Sequence, residues 1–107
     1  MKIAALQTVS ATSVLANLES AAALLAEAAR AGAELAVLPE YFCLMGKKET
    51  DKLDVRESFG TGAVQDFLAQ QARTLGLWVV GGTMPLVAGD EAHVRNTSLA
   101  FSPQGEC

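Results

Sequence analysis

Basic residues, cysteine and histidine are scarce in this chain, and each shortage excludes something. Its 107 residues hold 8 Lys and Arg against 12 Asp and Glu, a formal net charge of −4. Nucleic acids and anionic membrane surfaces select basic faces, so neither is expected as a partner. The two cysteines, Cys43 and Cys107, form no dense framework, so nothing calls for an oxidising compartment. The single histidine, His93, has neither cysteine near it in sequence; metal sites need clustered ligands, so none is expected. Long apolar runs are missing as well. Ile3-Ala4-Ala5-Leu6 gives way at once to Gln7-Thr8 and is too short for a signal-peptide core. The Ala-rich stretch from Ala21 to Leu38 is broken by Glu27, Arg30 and Glu34, against a membrane span. Val9-Ser10-Ala11-Thr12, after the first apolar run, has no glycine, so it is neither a dinucleotide fingerprint nor a phosphate loop, and no cofactor is expected. These absences leave a soluble cytoplasmic protein as the expectation.

What remains is rich in core material. Half of the residues are hydrophobic, and the length suits one domain. Lys2 to Thr8 reads as a strand buried on both faces, because its apolar run is nearly continuous. Thr12 or Ser13 suits a helix cap. Val14, Leu15, Leu18, Ala22, Leu25 and Ala29 then recur at helical spacing, with Arg30 and Gly32 suited to the end. Leu35 to Leu38 is a short buried strand closed by Pro39, which cannot donate to a ladder. This β-α-β order predicts parallel strands. Tyr41 to Ser58 has no clear period, and its mixed charges from Lys47 to Glu57 read as a solvated loop or a short helix. Phe59-Gly60-Thr61-Gly62 is a turn into a helix whose buried stripe is Val64, Phe67, Leu68, Gln71, Ala72 and Leu75, with Gln71 its one polar break. Leu77 to Thr83 and Ala92 to Phe101 read as an antiparallel strand pair, and Ser102 to Glu106 as a further turn.

The chemistry centres on Glu40. It directly follows a buried strand that ends in Pro39, and ligands in open α/β sheets bind outside such strand ends. A carboxylate there is placed to act as a base; equally, it could solvate the strand end or pair with a lysine. Cys43 lies three residues on, but a free Cys in an apolar stretch reads as a small core residue. His93 beside Arg95 reads as structural or exposed. Asn96 either braces the backbone or contacts a ligand. The Gly81-Gly82 pair marks a point where another backbone approaches closely.

Together, Ile3-Ala4-Ala5-Leu6-Gln7, Leu38-Pro39-Glu40, Gly76 to Thr83 and Asn96-Thr97-Ser98 resemble the N-terminal half of the carbon–nitrogen hydrolase (nitrilase) superfamily. The run from Asp51 through Gly82 is similar to the branch of ω-amidases and deaminated-glutathione amidases. The resemblance implies an α/β fold: the N-terminal part of an α-β-β-α sandwich, a mixed sheet with two helices on one face. It also implies that residues 1–107 are the N-terminal portion of one domain, a homo-oligomer when full-length. By the same resemblance Glu40 is the general base of a Glu-Lys-Cys site, which turns a small amide substrate into an acid and ammonia through a Cys thioester. Lys47, Lys48, Cys43 and Cys107 do not match the family's Lys and Cys motifs, so the chain is expected to be truncated and inactive alone. A non-catalytic α/β binding module is the alternative, because fold does not fix function.

Overall fold

The computed structural model describes residues 1–7, 14–39, 42, 56–89 and 94–107. Along the chain these form β1 (Ile3–Ala5), α1 (Val14–Arg30), β2 (Leu35–Val37), α2 (Ala63–Leu75), β3 (Trp78–Val87) and β4 (Val94–Phe101). One sheet of 4 strands runs in the order β1-β2-β3-β4. β1, β2 and β3 are parallel, and β4 returns antiparallel to β3. Both helices share one core with the sheet, which is the expected mixed α/β layering.

α1 is built largely of Ala and Leu, the strongest helix formers. It buries Asn17, Ala21, Leu25 and Ala28, with Val14, Leu18 and Ala29 packed partly against the core. Leu15, expected in this stripe, is 69% exposed. The buried line rises in steps of three and four through 14, 18, 21, 25 and 28, which leaves position 15 a quarter-turn away. The end is a Schellman motif. Gly32 takes φ 89, its N–H donates to the Ala29 carbonyl, and the Ala33 N–H donates to that of Ala28. Gly76, at φ 67, ends α2 in the same left-handed conformation.

β1 departs from expectation. It spans only Ile3–Ala5 and is not buried on both faces: Ile3 is 59% exposed. Thr8, at the end of the expected strand, lies outside the described residues. β1 pairs on one side only, with β2, and among the described residues both helices pack on one face of the sheet. Ala36, Val79 and Phe101 look into the helices and are buried. Ile3, Leu35 and Trp78 lie in register on the opposite face, where Trp78 is 45% exposed.

β3 runs four residues beyond its expected end at Thr83, through Pro85. A central proline ordinarily stops a strand. Here the Pro85 carbonyl accepts from the Glu57 N–H, so its own nitrogen points to that same side, where β2 has already ended. The missing donor therefore removes nothing from the β3–β4 ladder. β4 begins at Val94 in the described residues, and the expected hairpin with β3 is present. The tail folds as a turn, the Ser102 N–H donating to the Glu106 carbonyl at 2.8 Å.

Candidate active site

The carboxyl end of β2 is fixed before any catalytic side chain is considered. Ala36 and Leu38 are buried, and the Leu38 N–H donates to the Val80 carbonyl at 2.9 Å, which carries the parallel pairing one residue past β2. Pro39 follows. Glu40, the base expected from sequence, lies outside the described residues. Its neighbours two residues away on either side do not: Leu38 is 1% exposed, Phe42 is 0% exposed, and both belong to the core. The stretch after Glu40, which shows no period in sequence, thus holds a core residue at Phe42.

β3 passes beside this point with an irregularity. Gly81 is opposite Leu99 and Met84 is opposite Thr97, so β3 spends three steps where β4 spends two. The extra residue is a bulge at Gly82–Thr83. Bulges bend a strand and re-aim what it carries, and they concentrate near active sites. Gly82 also meets the close backbone approach expected of the glycine pair. A Cβ placed there would fall under 3.0 Å from the Leu38 oxygen and the Pro39 carbonyl carbon and oxygen.

A second polar cluster joins this strand to α2. Gly62 stands at the N-cap of α2 and offers no side-chain acceptor. Glu57 supplies one from outside the helix. The Val64 N–H donates to Glu57 Oε2 at 2.7 Å and the Gln65 N–H to Oε1 at 3.2 Å. Gln65 is itself buried, its Nε2 donating to Glu57 Oε1, Ser58 O and Thr61 O while its Oε1 accepts from the Gly60 N–H at 2.8 Å. The Glu57 backbone also bridges β3: its N–H donates to the Pro85 carbonyl and its carbonyl accepts from the Val87 N–H. Gln65, not Gln71, is the buried polar residue of α2. Sequence reasoning missed Glu57 because it sits in a mixed-charge stretch without capping-box spacing. The available signal was a helix starting on glycine, whose first N–H groups need a partner from elsewhere.

The remaining candidates are not brought together. Cys43, Lys47, Lys48 and His93 lie outside the described residues. Cys107 is a free, exposed thiol at the end of the tail. Asn96 is exposed on β4 opposite Pro85, and the neighbouring Thr97 hydroxyl donates to the Arg95 carbonyl at 3.2 Å. A groove of about 480 Å³ lies elsewhere, between β1 and α1, lined by Ala4, Ala5, Leu6, Glu27, Ala28 and Ala31 among others. Among the described residues no three of His, Cys, Asp and Glu gather as a metal site, and no helix is long and apolar enough to cross a membrane.

Parallel strands with their helices on one face, and a bulged strand beside a proline-stopped strand end, define an α/β protein, a class in which ligands bind outside the carboxyl ends of the strands. The chain belongs to the carbon–nitrogen hydrolase family, whose model matches residues 2–107. It is 36% identical over 104 residues to a deaminated glutathione amidase of Synechocystis sp., a match covering 96% of this chain and 38% of that protein. Omega-amidase NIT2-B of Xenopus laevis is 32% identical over 89 residues, covering 83% of this chain and 31% of that one. The crystal structure of Saccharomyces cerevisiae Nit3, a member of branch 10 of the nitrilase superfamily, superposes with a TM-score of 0.84 at 25% identity, covering 99% of this chain and 41% of that chain. The chain therefore spans less than two fifths of the length of the curated relatives it matches. These relatives bear out the resemblance to amidases of the ω-amidase and deaminated-glutathione branch.

Proposed function

We propose that this chain is the base-bearing part of a cysteine-dependent amidase acting on a small amide, with Glu40 as the general base. A thiol is a poor nucleophile until it is deprotonated. The Glu40 carboxylate takes that proton, and the thiolate attacks the amide carbon. A lysine ammonium stabilises the oxyanion that forms. The protonated Glu40 returns its proton to the leaving nitrogen, and ammonia departs from a thioester. Water, deprotonated by the same carboxylate, then releases the acid and the free thiol. In this reading the Lys and Cys come from residues beyond this sequence, because Lys47, Lys48, Cys43 and Cys107 fit neither motif. The 107 residues alone then carry out no turnover.

One observation carries the reading. Leu38 and Phe42, on either side of Glu40, are both locked into the core at the carboxyl end of β2. A carboxylate that merely solvates a strand end needs no such double anchor, whereas a catalytic base must be held in place. The amidase names of the relatives support the same chemistry. The test is to read the encoding gene past codon 107 and to assay the 107-residue chain for ammonia release from small amides. The expected result is an in-frame lysine segment followed by a strand-end cysteine, with no turnover by the short chain. An immediate stop codon, or turnover by the short chain that Glu40→Gln abolishes, contradicts the proposal.

A further inference from the structure

We infer that Gly82 is a positioning residue for the catalytic glutamate: its missing side chain is the seat on which the Leu38–Pro39 backbone rests before it enters Glu40. The inference rests on the assignment of Glu40 as base.

Five glycines of the described residues take positive φ, and Gly82 is not one of them. Its backbone conformation does not require glycine; the space around it does. A Cβ at Gly82 would lie under 3.0 Å from three atoms, Pro39 O, Pro39 C and Leu38 O, and all three are backbone. The adjoining Gly81 meets a different obstacle. A Cβ there would come 2.6 Å from Leu68 Cδ1, the tip of a side chain that can rotate away, and its other near neighbours stand at 3.5 Å. A methyl at position 81 is thus accommodated by a rotamer, and one at position 82 only by displacing the end of β2.

That end has little freedom to move without consequence. The parallel ladder pins Leu35, Ala36 and Val37 against Trp78, Val79 and Val80, and the Leu38 N–H extends it to the Val80 carbonyl. Proline fixes φ at position 39. The Pro39 carbonyl carbon is bonded to the Glu40 nitrogen, so a shift of that carbonyl is a shift in the origin of Glu40. The bulge at Gly82–Thr83 falls at the point where β3 meets the Pro39 carbonyl. A displacement of about 1 Å in catalytic geometry costs on the order of 100-fold in rate.

The experiment is run in the full-length enzyme, following ammonia release, with circular dichroism to establish that each variant folds. Gly82→Ala is expected to lower kcat on the order of 100-fold with KM changed only a few-fold, while Gly81→Ala keeps kcat within a few-fold. The decisive readout is the double variant. If Gly82 acts through Glu40, then Gly82→Ala added to Glu40→Gln slows the enzyme no further than Glu40→Gln alone. A purely structural role multiplies the two losses instead, and that outcome overturns the inference, as does a Gly82→Ala enzyme with wild-type kcat. Should Gly82→Ala not fold, Pro39→Gly frees the same peptide without adding an atom. A fall in kcat at constant KM then supports the inference, and an unchanged kcat overturns it. If Glu40→Gln itself leaves kcat intact, the base assignment has failed, which is separable from a failure at Gly82 alone.

Discussion

Glu57 performs for α2 what a capping side chain ordinarily performs from inside the helix. Its two carboxylate oxygens accept from the Val64 and Gln65 N–H groups, while its backbone is stitched to Pro85 and Val87 of β3. Glu57→Ala is expected to cost about 1–2 kcal/mol in urea unfolding, as loss of a cap does, and Glu57→Gln, which keeps one acceptor oxygen, to cost less. Equal stability of Glu57→Ala and wild type would show that the cap is dispensable. At this scale the sequence was legible where chemistry and local pattern coincide. Leu38-Pro39 announces a strand end, and Gly81-Gly82 announces a close approach. It was not legible at Glu57 or Gln65, because their partners lie four to eight residues away in the turn before α2 and its first turn, or on β3, and no fixed spacing encodes such contacts.

Elements were read well in kind and order and less well in face and extent. The Ala/Leu periodicity of α1 and the Gly32 stop were both visible in sequence, but an alanine-rich helix is weakly amphipathic, so its apolar stripe can be drawn too wide. Leu15 was included and proves 69% exposed, while Leu25 is fully buried. The two therefore separate in a chemically identical test. Leu25→Ala is expected to destabilise the fold by about 2–5 kcal/mol, and Leu15→Ala by no more than about 0.5 kcal/mol, as read by chemical denaturation; similar losses at both would contradict the assigned face. β3 continues past its expected end at Thr83 and through Pro85, a residue that stops most strands. Only tertiary context, the pairing of Glu57 beyond the end of β2, makes that proline harmless. A continuously apolar β1 predicts burial on both faces, and its sequence cannot reveal that Ile3 is 59% exposed.

At the scale of the molecule, the main feature among the described residues is the sheet face opposite the helices. Ile3, Leu35 and Trp78 form one apolar row across the sheet, and Ala5, Val37, Val80 and Ala100 the next. Such a contiguous patch is unusual on a free surface. It is the face that the sandwich expected from the sequence would cover. The 107-residue chain alone is expected to bind the dye ANS and to sediment in part as larger species, and Trp78→Glu to raise the monomer fraction; a strictly monomeric chain that binds no dye would contradict an exposed patch. One layer of helices over one sheet is thus sufficient to fix the strand end at Leu38 and Pro39.

The account stands on Glu40, and the most direct measurement is kcat/KM for ammonia release by the full-length enzyme with Glu40→Gln, which keeps the size of the side chain and removes its basicity. General-base function predicts a loss of about 100- to 10,000-fold in a folded variant. Retention of wild-type kcat/KM would contradict it and leave the strand end of β2 with a structural part only.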